Sequence, residues 1–255
     1  MNGSELAAVV GTTLGPMKGC CVWDIGSGEH VPSAASMVLE EAGVSLSCGF
    51  GIDPHLPEGA QGYRGTLDAF LMSDLSSWPR PDLVVCADSM HCINGIETSF
   101  ARLLQELGSG VPVIVWDYVR DETGSSARVP AYELHACKAM IDRALGIPHD
   151  ELFTGDALWQ ISRDLPVQWS TFRIVAGRTV YASVLQECCE ATLDYAELIA
   201  EHTDLYAEVA RKVRRVRVST SERYESEMRS VSIGTTVASS QTEQEQRQRE
   251  QGCCH

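Results

Sequence analysis

Runs of apolar residues alternate with amphipathic stretches along the first 120 residues of the chain. Four segments are rich in apolar and β-branched residues, as strands buried in a parallel sheet are: residues 19–25, 44–53, 81–89 and 111–119. Between them lie two segments with helical spacing, 33–43 and 95–110, and a short helix or strand, 65–73. This order predicts an α/β fold, with a mostly parallel sheet and helices on both of its faces.

The second half of the chain predicts a different arrangement. Residues 131–146 have helical spacing, and residues 167–184 are typical of two strands joined at a glycine-containing turn, 176–178, which makes a late antiparallel hairpin. Residues 187–217 predict one long C-terminal helix. Residues 218–255 are polar and nearly free of large apolar residues, so we expect a disordered tail. We therefore expect the chain to divide into a domain over residues 1–186, the helix over 187–217 and the tail over 218–255.

The net charge of the chain is −15 at pH 7, and it is unevenly distributed. The stretch "RKVRRVR" (211–217) holds five basic residues and no acidic one, whereas the part before it is acidic. Because proteins bind nucleic acids by neutralising phosphates, this acidic body makes RNA or DNA an unfavourable partner.

The ten cysteines show no CxxC spacing, so we expect reduced, apolar cysteines and no metal site. A cytoplasmic protein follows from this usage of cysteine.

No apolar run approaches the roughly 18–20 residues of a membrane span, and the N-terminus has no basic segment typical of a secretory signal. We therefore expect no membrane association.

The stretch "CCVWDIGSGEH" places Asp24 at the end of the first predicted strand, directly before a turn with Gly26 and Gly28. Glycines at this spacing let a ligand approach the backbone. The dinucleotide fingerprint GxGxxG lacks its third glycine here, and Glu29 stands where a pyrophosphate would approach. A nicotinamide-dependent oxidoreductase is therefore disfavoured, and a ligand with a positive charge suits the turn better.

This turn resembles the first motif of the class I, Rossmann-like, S-adenosylmethionine-dependent methyltransferases. Three later stretches are similar to further motifs of that family, in its order: "GIDPH", "MSDLSSWP" and "PDLVVCADSMHCI". The resemblance covers about residues 18–120 and extends loosely to 184. It implies a Rossmann-like fold, S-adenosylmethionine as cofactor, and transfer of a methyl group.

The resemblance also implies roles for particular residues. Gly26 and Gly28 would border the amino-acid part of the cofactor, with Asp24 holding its ammonium group. Asp53 would accept both ribose hydroxyls. The adenine would meet Asp74 and the Leu75 N–H. Apart from the resemblance, His91, just past the fourth strand, is the best-placed candidate for a general base, which is needed only if the acceptor atom keeps its proton. Asp88 and Ser89 could instead touch the methionine part or the acceptor. Structural roles remain open for the same residues: turn caps for Asp53 and Asp74, and a core position for His91.

Three functions remain open. The first is a methyltransferase that acts on a small-molecule or peripheral acceptor. The second is an mRNA cap guanine-N7 methyltransferase, which the acidic charge disfavours. The third is a non-catalytic, methyltransferase-like interaction protein, in which the C-terminal helix forms a homodimer or partner surface.

Overall fold

A computed structural model of the chain describes residues 3–28, 35–93, 95–120, 129–150, 152–175, 179–219, 223–225 and 228–238. Its strands are β1 (Met17–Ile25), β2 (Val44–Asp53), β3 (Gly62–Arg64), β4 (Leu83–Ala87), β5 (Pro112–Val119), β6 (Val167–Val175), β7 (Thr179–Tyr181), β8 (Arg223–Glu225) and β9 (Met228–Thr236). Its helices are α1 (Gly3–Leu14), α2 (Ala35–Glu41), α3 (Leu67–Leu71), α4 (Ile96–Leu107), α5 (Val129–Ala144), α6 (Gly155–Asp164), α7 (Ala182–Ala196) and α8 (Thr203–Ser219). Short 3₁₀ turns span Leu75–Ser77, Met90–Cys92 and Glu197–Ile199.

Seven strands form one sheet in the order β3-β2-β1-β4-β5-β9-β6. The first five strands of the chain pair in parallel, and β9 runs antiparallel to both of its neighbours. In this register, Asp24 of β1 lies beside Gly51 of β2 and Val85 of β4. The carboxyl ends of β1, β2 and β4 therefore meet at one edge of the sheet, where open α/β sheets bind their ligands. The predicted Rossmann-like fold class is confirmed.

Helices cover both faces of the sheet, as the alternating pattern predicts. One apolar cluster joins Trp23 and Phe50 of the sheet to Phe70 of α3 and Phe100 of α4. The other joins Val22 and Trp116 to Leu6 of α1 and Leu39 of α2. Because neighbouring strand residues point to opposite faces, Val22 and Trp23 serve different clusters. No helix among the described residues has the length and apolar character that crossing a bilayer requires.

Helices α5, α7 and α8 form a separate apolar cluster, which we call the helical cap. The cap touches the carboxyl edge of the sheet through α5. The Tyr132 hydroxyl of α5 donates a 3.2 Å hydrogen bond to the Val119 carbonyl at the end of β5. The ring of His135 in α5 lies 4.8 Å from the ring of His91, which follows β4.

The prediction of one helix over residues 187–217 is wrong. The chain forms α7 and α8, joined through the turn Glu197–Ile199, and both pack in the cap. A single straight helix over that range would be about 46 Å long, and it could not place Cys189 and Val213 together against α5. Of the apolar residues in this range, Val209, Val213 and Val216 are buried within the chain, whereas Leu198 is exposed.

The prediction of a disordered tail over 218–255 is wrong for β8 and β9. The sheet does end in late antiparallel strands, but β6 pairs with β9, whereas β7 pairs with β8 in a small second sheet. The expected turn at 176–178 lies outside the described residues. Since β9 alternates Val231 and Ile233 with Ser230 and Ser232, its composition resembles that of a polar segment although all four residues are buried.

We predict that Ile233→Ala lowers the free energy of unfolding by about 2–5 kcal/mol, because Ile233 is fully buried between the sheet and its helices. The control is Thr235→Ala on the same strand, where the side chain is exposed; it should change that free energy by less than about 0.5 kcal/mol. Urea denaturation measures both. Equal, small effects would contradict the interior position of β9.

Candidate functional site

The turn after β1 and the acid at the end of β2 are joined by hydrogen bonds. The Gly28 N–H donates to Asp53 Oδ2 over 2.9 Å, and the His55 N–H donates to Asp53 Oδ1 over 2.6 Å. The Gly26 N–H donates to the Ile52 carbonyl over 2.9 Å. Asp24 is buried one residue before the end of β1. The structure thus brings Asp24, both glycines and Asp53 together, and it also shows that Asp53 caps its own turn.

The two glycines have different surroundings. Both have left-handed backbones, with φ of +74° at Gly26 and +66° at Gly28. A Cβ on Gly26 would lie 2.3 Å from the Cβ of Ser89, so close packing of the strand ends requires this glycine. A Cβ on Gly28 would meet none of the described residues within 4 Å. No described residue therefore fills the space beside Gly28 and the Asp53 carboxylate.

The loop after β4 is held by other strands of the sheet. The Ser89 hydroxyl donates a 2.7 Å hydrogen bond to the Ile25 carbonyl of β1. Asp88, with φ of +53°, receives two hydrogen bonds of 2.7 and 2.8 Å from Arg229 of β9. The Arg229 guanidinium also lies 4.0 Å from the centre of the Tyr118 ring. Asp88 and Ser89 thus lie at the carboxyl edge, where their contacts fix the shape of the loop.

The structure does not bring Asp74 and Leu75 to this edge. Asp74 is exposed and caps the turn Leu75–Ser77, accepting hydrogen bonds of 3.0 and 2.7 Å from the Ser76 N–H and hydroxyl. Leu75 and Ser76 line a cavity of about 310 Å³ together with Arg80, Pro81 and Leu107. These three residues lie at the start of β4 and the end of α4, which is the amino edge of the sheet. An adenine bound at the carboxyl edge would therefore lie away from Asp74 and Leu75, whose contact with it stays a prediction.

The chain leaves β3 at the carboxyl edge through a segment that begins at Gly65, whereas the stretch expected to meet the adenine begins at Met72. The acidic residue of the segment after β3 is Asp68, in the first turn of α3, whose carboxylate accepts a hydrogen bond from the Ser99 hydroxyl of α4. Asp68 does not stand out in the sequence, because β3 is only three residues long and residues 65–73 fit a helix as well as a strand. A polar strand of three residues shows no alternation of apolar and polar positions from which its end could be located.

His91 is buried in the 3₁₀ turn after β4 and is held by Asp117 of β5. Its ring Nδ1 lies 2.7 Å from Asp117 Oδ1, and its backbone N–H donates to Asp117 Oδ2 over 3.1 Å. Burial acts to lower the pKa of His91, but the hydrogen bonds to Asp117 and Cys92 outweigh it and raise that pKa to about 10. Without a bound cation, the pairing with Asp117 favours the protonated form of His91, and this argues against the expected role as general base.

Two further histidines that the sequence analysis did not single out lie against His91. His149 precedes α6, with Nδ1 2.6 Å from Asp142 Oδ2, and its Nε2 lies 3.0 Å from Nε2 of His135. Burial and its charged neighbours lower the pKa of His135 to about 3, so His135 is neutral. One ring nitrogen from each of the three histidines lies within 4.8 Å of the others, which is a spacing able to hold a metal ion.

No protein-family model and no curated protein matches the sequence of this chain. Solved structures share its fold. A candidate methyltransferase of Bacillus halodurans C-125 is 11% identical, with a TM-score of 0.51 over 91% of this chain and 99% of the other. A cyclopropane-fatty-acyl-phospholipid synthase-like protein of Lactobacillus casei ATCC 334 is 15% identical, with a TM-score of 0.52 over 92% and 90%.

A third match is the [4+2]-cyclase SpnF, which is 13% identical, with a TM-score of 0.51 over 92% of this chain and 81% of the other. At such identities the likeness shows the fold, and the predicted methyltransferase-type fold is confirmed. The cyclase shows that this fold also carries other chemistry, so function must be argued from the site.

We predict that alanine at the two glycines destabilises the protein unequally. Gly28→Ala should cost roughly 1–2 kcal/mol for a left-handed backbone. Gly26→Ala should cost roughly 2–5 kcal/mol, because the new Cβ must also displace Ser89. Urea denaturation of both variants provides the comparison, and an equal loss would contradict the packing of Ser89 against Gly26.

Proposed function

We propose that this protein is an S-adenosylmethionine-dependent methyltransferase that acts on a small-molecule or peripheral acceptor. The observation that carries the proposal is the 2.9 Å hydrogen bond between the Gly28 N–H and the Asp53 carboxylate, at a place where no described residue would contact a Cβ on Gly28. A glycine turn and an acid at the ends of neighbouring parallel strands form a ligand site at the edge where this sheet type binds ligands.

The residues at this edge fit the cofactor. Among the described residues, none would contact a Cβ on Gly28, and glycine adds no side chain that would stand between a ligand and this backbone. Each Asp53 oxygen accepts one backbone N–H and retains capacity for a second donor, such as a ribose hydroxyl. Asp24 supplies negative charge beneath the turn, which suits a cationic ligand. S-adenosylmethionine would supply an electrophilic methyl group on its sulfonium.

The other predicted contacts take different roles in this proposal. Ser89 positions the end of β1 through the Ile25 carbonyl, and Asp88 positions the loop after β4 through Arg229. We leave Asp74 and Leu75 out of the cofactor site, because they lie at the amino edge. Catalysis then rests on holding donor and acceptor in line, which supplies most of what methyl transfer needs from a protein.

The charge of the chain supports an acceptor other than a nucleic acid. A net charge of −15 raises the electrostatic cost of bringing phosphates to the site. The basic stretch 211–217 belongs to α8 in the helical cap, where Lys212 pairs with Glu208 and Arg217 with Glu190. Part of its positive charge is thus compensated within the cap, which weakens the case for an mRNA cap as substrate.

We predict that Asp53→Asn weakens the binding of S-adenosylhomocysteine by about 10-fold or more. A hydrogen bond to a charged group contributes roughly 1.5–3 kcal/mol, and about 1.4 kcal/mol corresponds to tenfold in affinity. Isothermal titration calorimetry of the full chain measures the dissociation constant, and thermal melting checks that the variant is folded.

The matched control is Asp74→Asn, which changes the same group at the amino edge and should leave that affinity unchanged. Absence of binding to the wild-type chain would overturn the proposed cofactor. Equal affinity of a folded Asp53→Asn variant would remove Asp53 from the site, and weaker binding by Asp74→Asn alone would move the site to the amino edge.

A further inference from the structure

Three histidines from separate segments converge where the helical cap meets the carboxyl edge of the sheet. His91 follows β4, His135 lies in α5, and His149 lies between α5 and α6. Their ring centres are 4.8 to 5.0 Å apart in all three pairs. Imidazoles are seldom packed this closely for apolar contact alone, since each ring has two nitrogens that need partners.

Hydrogen bonds fix the orientation of two of these rings. Asp117 holds Nδ1 of His91 at 2.7 Å, and Asp142 holds Nδ1 of His149 at 2.6 Å. Nε2 of each ring is then left for other partners: Nε2 of His149 lies 3.0 Å from Nε2 of His135, and Cys92 is within hydrogen-bonding reach of His91 and His149. Histidines that bind metal ions in proteins usually donate their other ring N–H to a carboxylate, a backbone carbonyl or water. Tyr195 of the cap donates a further hydrogen bond to Asp142, which fixes that carboxylate in turn.

The spacing of the nitrogens is close to that of a tetrahedral site. Two nitrogens bound 2.0–2.1 Å from a tetrahedral zinc ion lie about 3.3 Å apart. Nε2 of His135 and Nε2 of His149 are 3.0 Å apart, and all three histidine nitrogens lie within 4.8 Å of one another. A tetrahedral site would require the widest separation to close by about 1.5 Å.

The charges around the cluster balance a divalent cation. Asp117 is fully buried and Asp142 is largely buried, so their two negative charges need compensation inside the protein. Nitrogen ligands favour zinc over magnesium or calcium, which prefer oxygen. The Cys92 thiol, within hydrogen-bonding reach of His91 and His149, is a soft donor beside the same centre.

We propose that His91, His135 and His149 bind one Zn²⁺ ion at the carboxyl edge of the sheet, with Asp117 and Asp142 orienting two of the three ligands. The expectation from the sequence that no metal site exists is thereby replaced. The three histidines are distant in sequence and share no motif spacing, so only the fold brings them together. As a ligand, His91 is unavailable as a base, and the ion lies next to the loop that carries Asp88 and Ser89.

The test uses the full-length chain, stripped with a chelator and titrated with Zn²⁺ against a chromophoric competitor. We expect one tightly bound Zn²⁺ per chain. His135→Asn should weaken that binding by at least about 100-fold, because loss of an outer partner alone costs 10–100-fold. Among the described residues, neither Asp117 nor Asp142 hydrogen-bonds to His135, so this substitution leaves both His–Asp pairs intact.

The matched control is His202→Asn, which changes an exposed histidine just before α8 and should leave Zn²⁺ affinity unchanged. Thermal melting without metal should be the same for all three proteins, and added Zn²⁺ should raise the melting temperature of the wild type and of His202→Asn but not that of His135→Asn. Replacement of Zn²⁺ by Co²⁺ should give the visible absorption of a tetrahedral ion. No stoichiometric binding, or equal binding by wild type and His135→Asn, would overturn the proposal.

Neither the Zn²⁺ titration nor the Co²⁺ replacement involves S-adenosylmethionine. The outcome for the metal site therefore does not depend on the proposed function. A chain that binds Zn²⁺ but no S-adenosylhomocysteine would retain the metal site and lose the methyltransferase assignment. The reverse result would retain the assignment and lose the metal site.

Discussion

The hydrogen bond from the Gly28 N–H to the Asp53 carboxylate joins the turn after β1 to the end of β2. Parallel pairing of β1 with both β2 and β4 brings these strand ends to one edge. Gly26 then lets Ser89 reach the Ile25 carbonyl, which ties the end of β4 to β1. Because the same contacts close the edge of the sheet and shape the space over Gly28, the site is a direct product of strand register.

The helical cap gives this edge its second chemical feature. Residues from the loop after β4, from β5, from α5 and from the segment before α6 meet there as three histidines and two carboxylates. Arg229 of β9 holds Asp88 on the sheet side of the same region, and its guanidinium packs on Tyr118. Binding residues and orienting residues therefore come from both halves of the chain, although the motif resemblance covers mainly the first half.

The sequence predicted what local patterns determine. Buried parallel strands are continuous apolar runs, so β1, β2, β4 and β5 were located, and with them Asp24, Gly26, Gly28 and Asp53. It was harder to predict which edge of the sheet a loop residue reaches. Asp74 was misplaced because β3 is short, so the segment between it and β4 could not be divided from the sequence. The buried serines of β9 concealed an interior strand of the sheet within a polar segment. The histidine cluster depends on long-range packing, which no local spacing encodes.

Hydrogen–deuterium exchange of the full chain with and without S-adenosylhomocysteine tests the central claim most directly, because backbone amides report where the ligand lies. The account predicts slower exchange in peptides that cover residues 24–28 and 51–55, with no change over residues 72–79. Unchanged exchange throughout the chain, or protection confined to 72–79 at the amino edge, would contradict it.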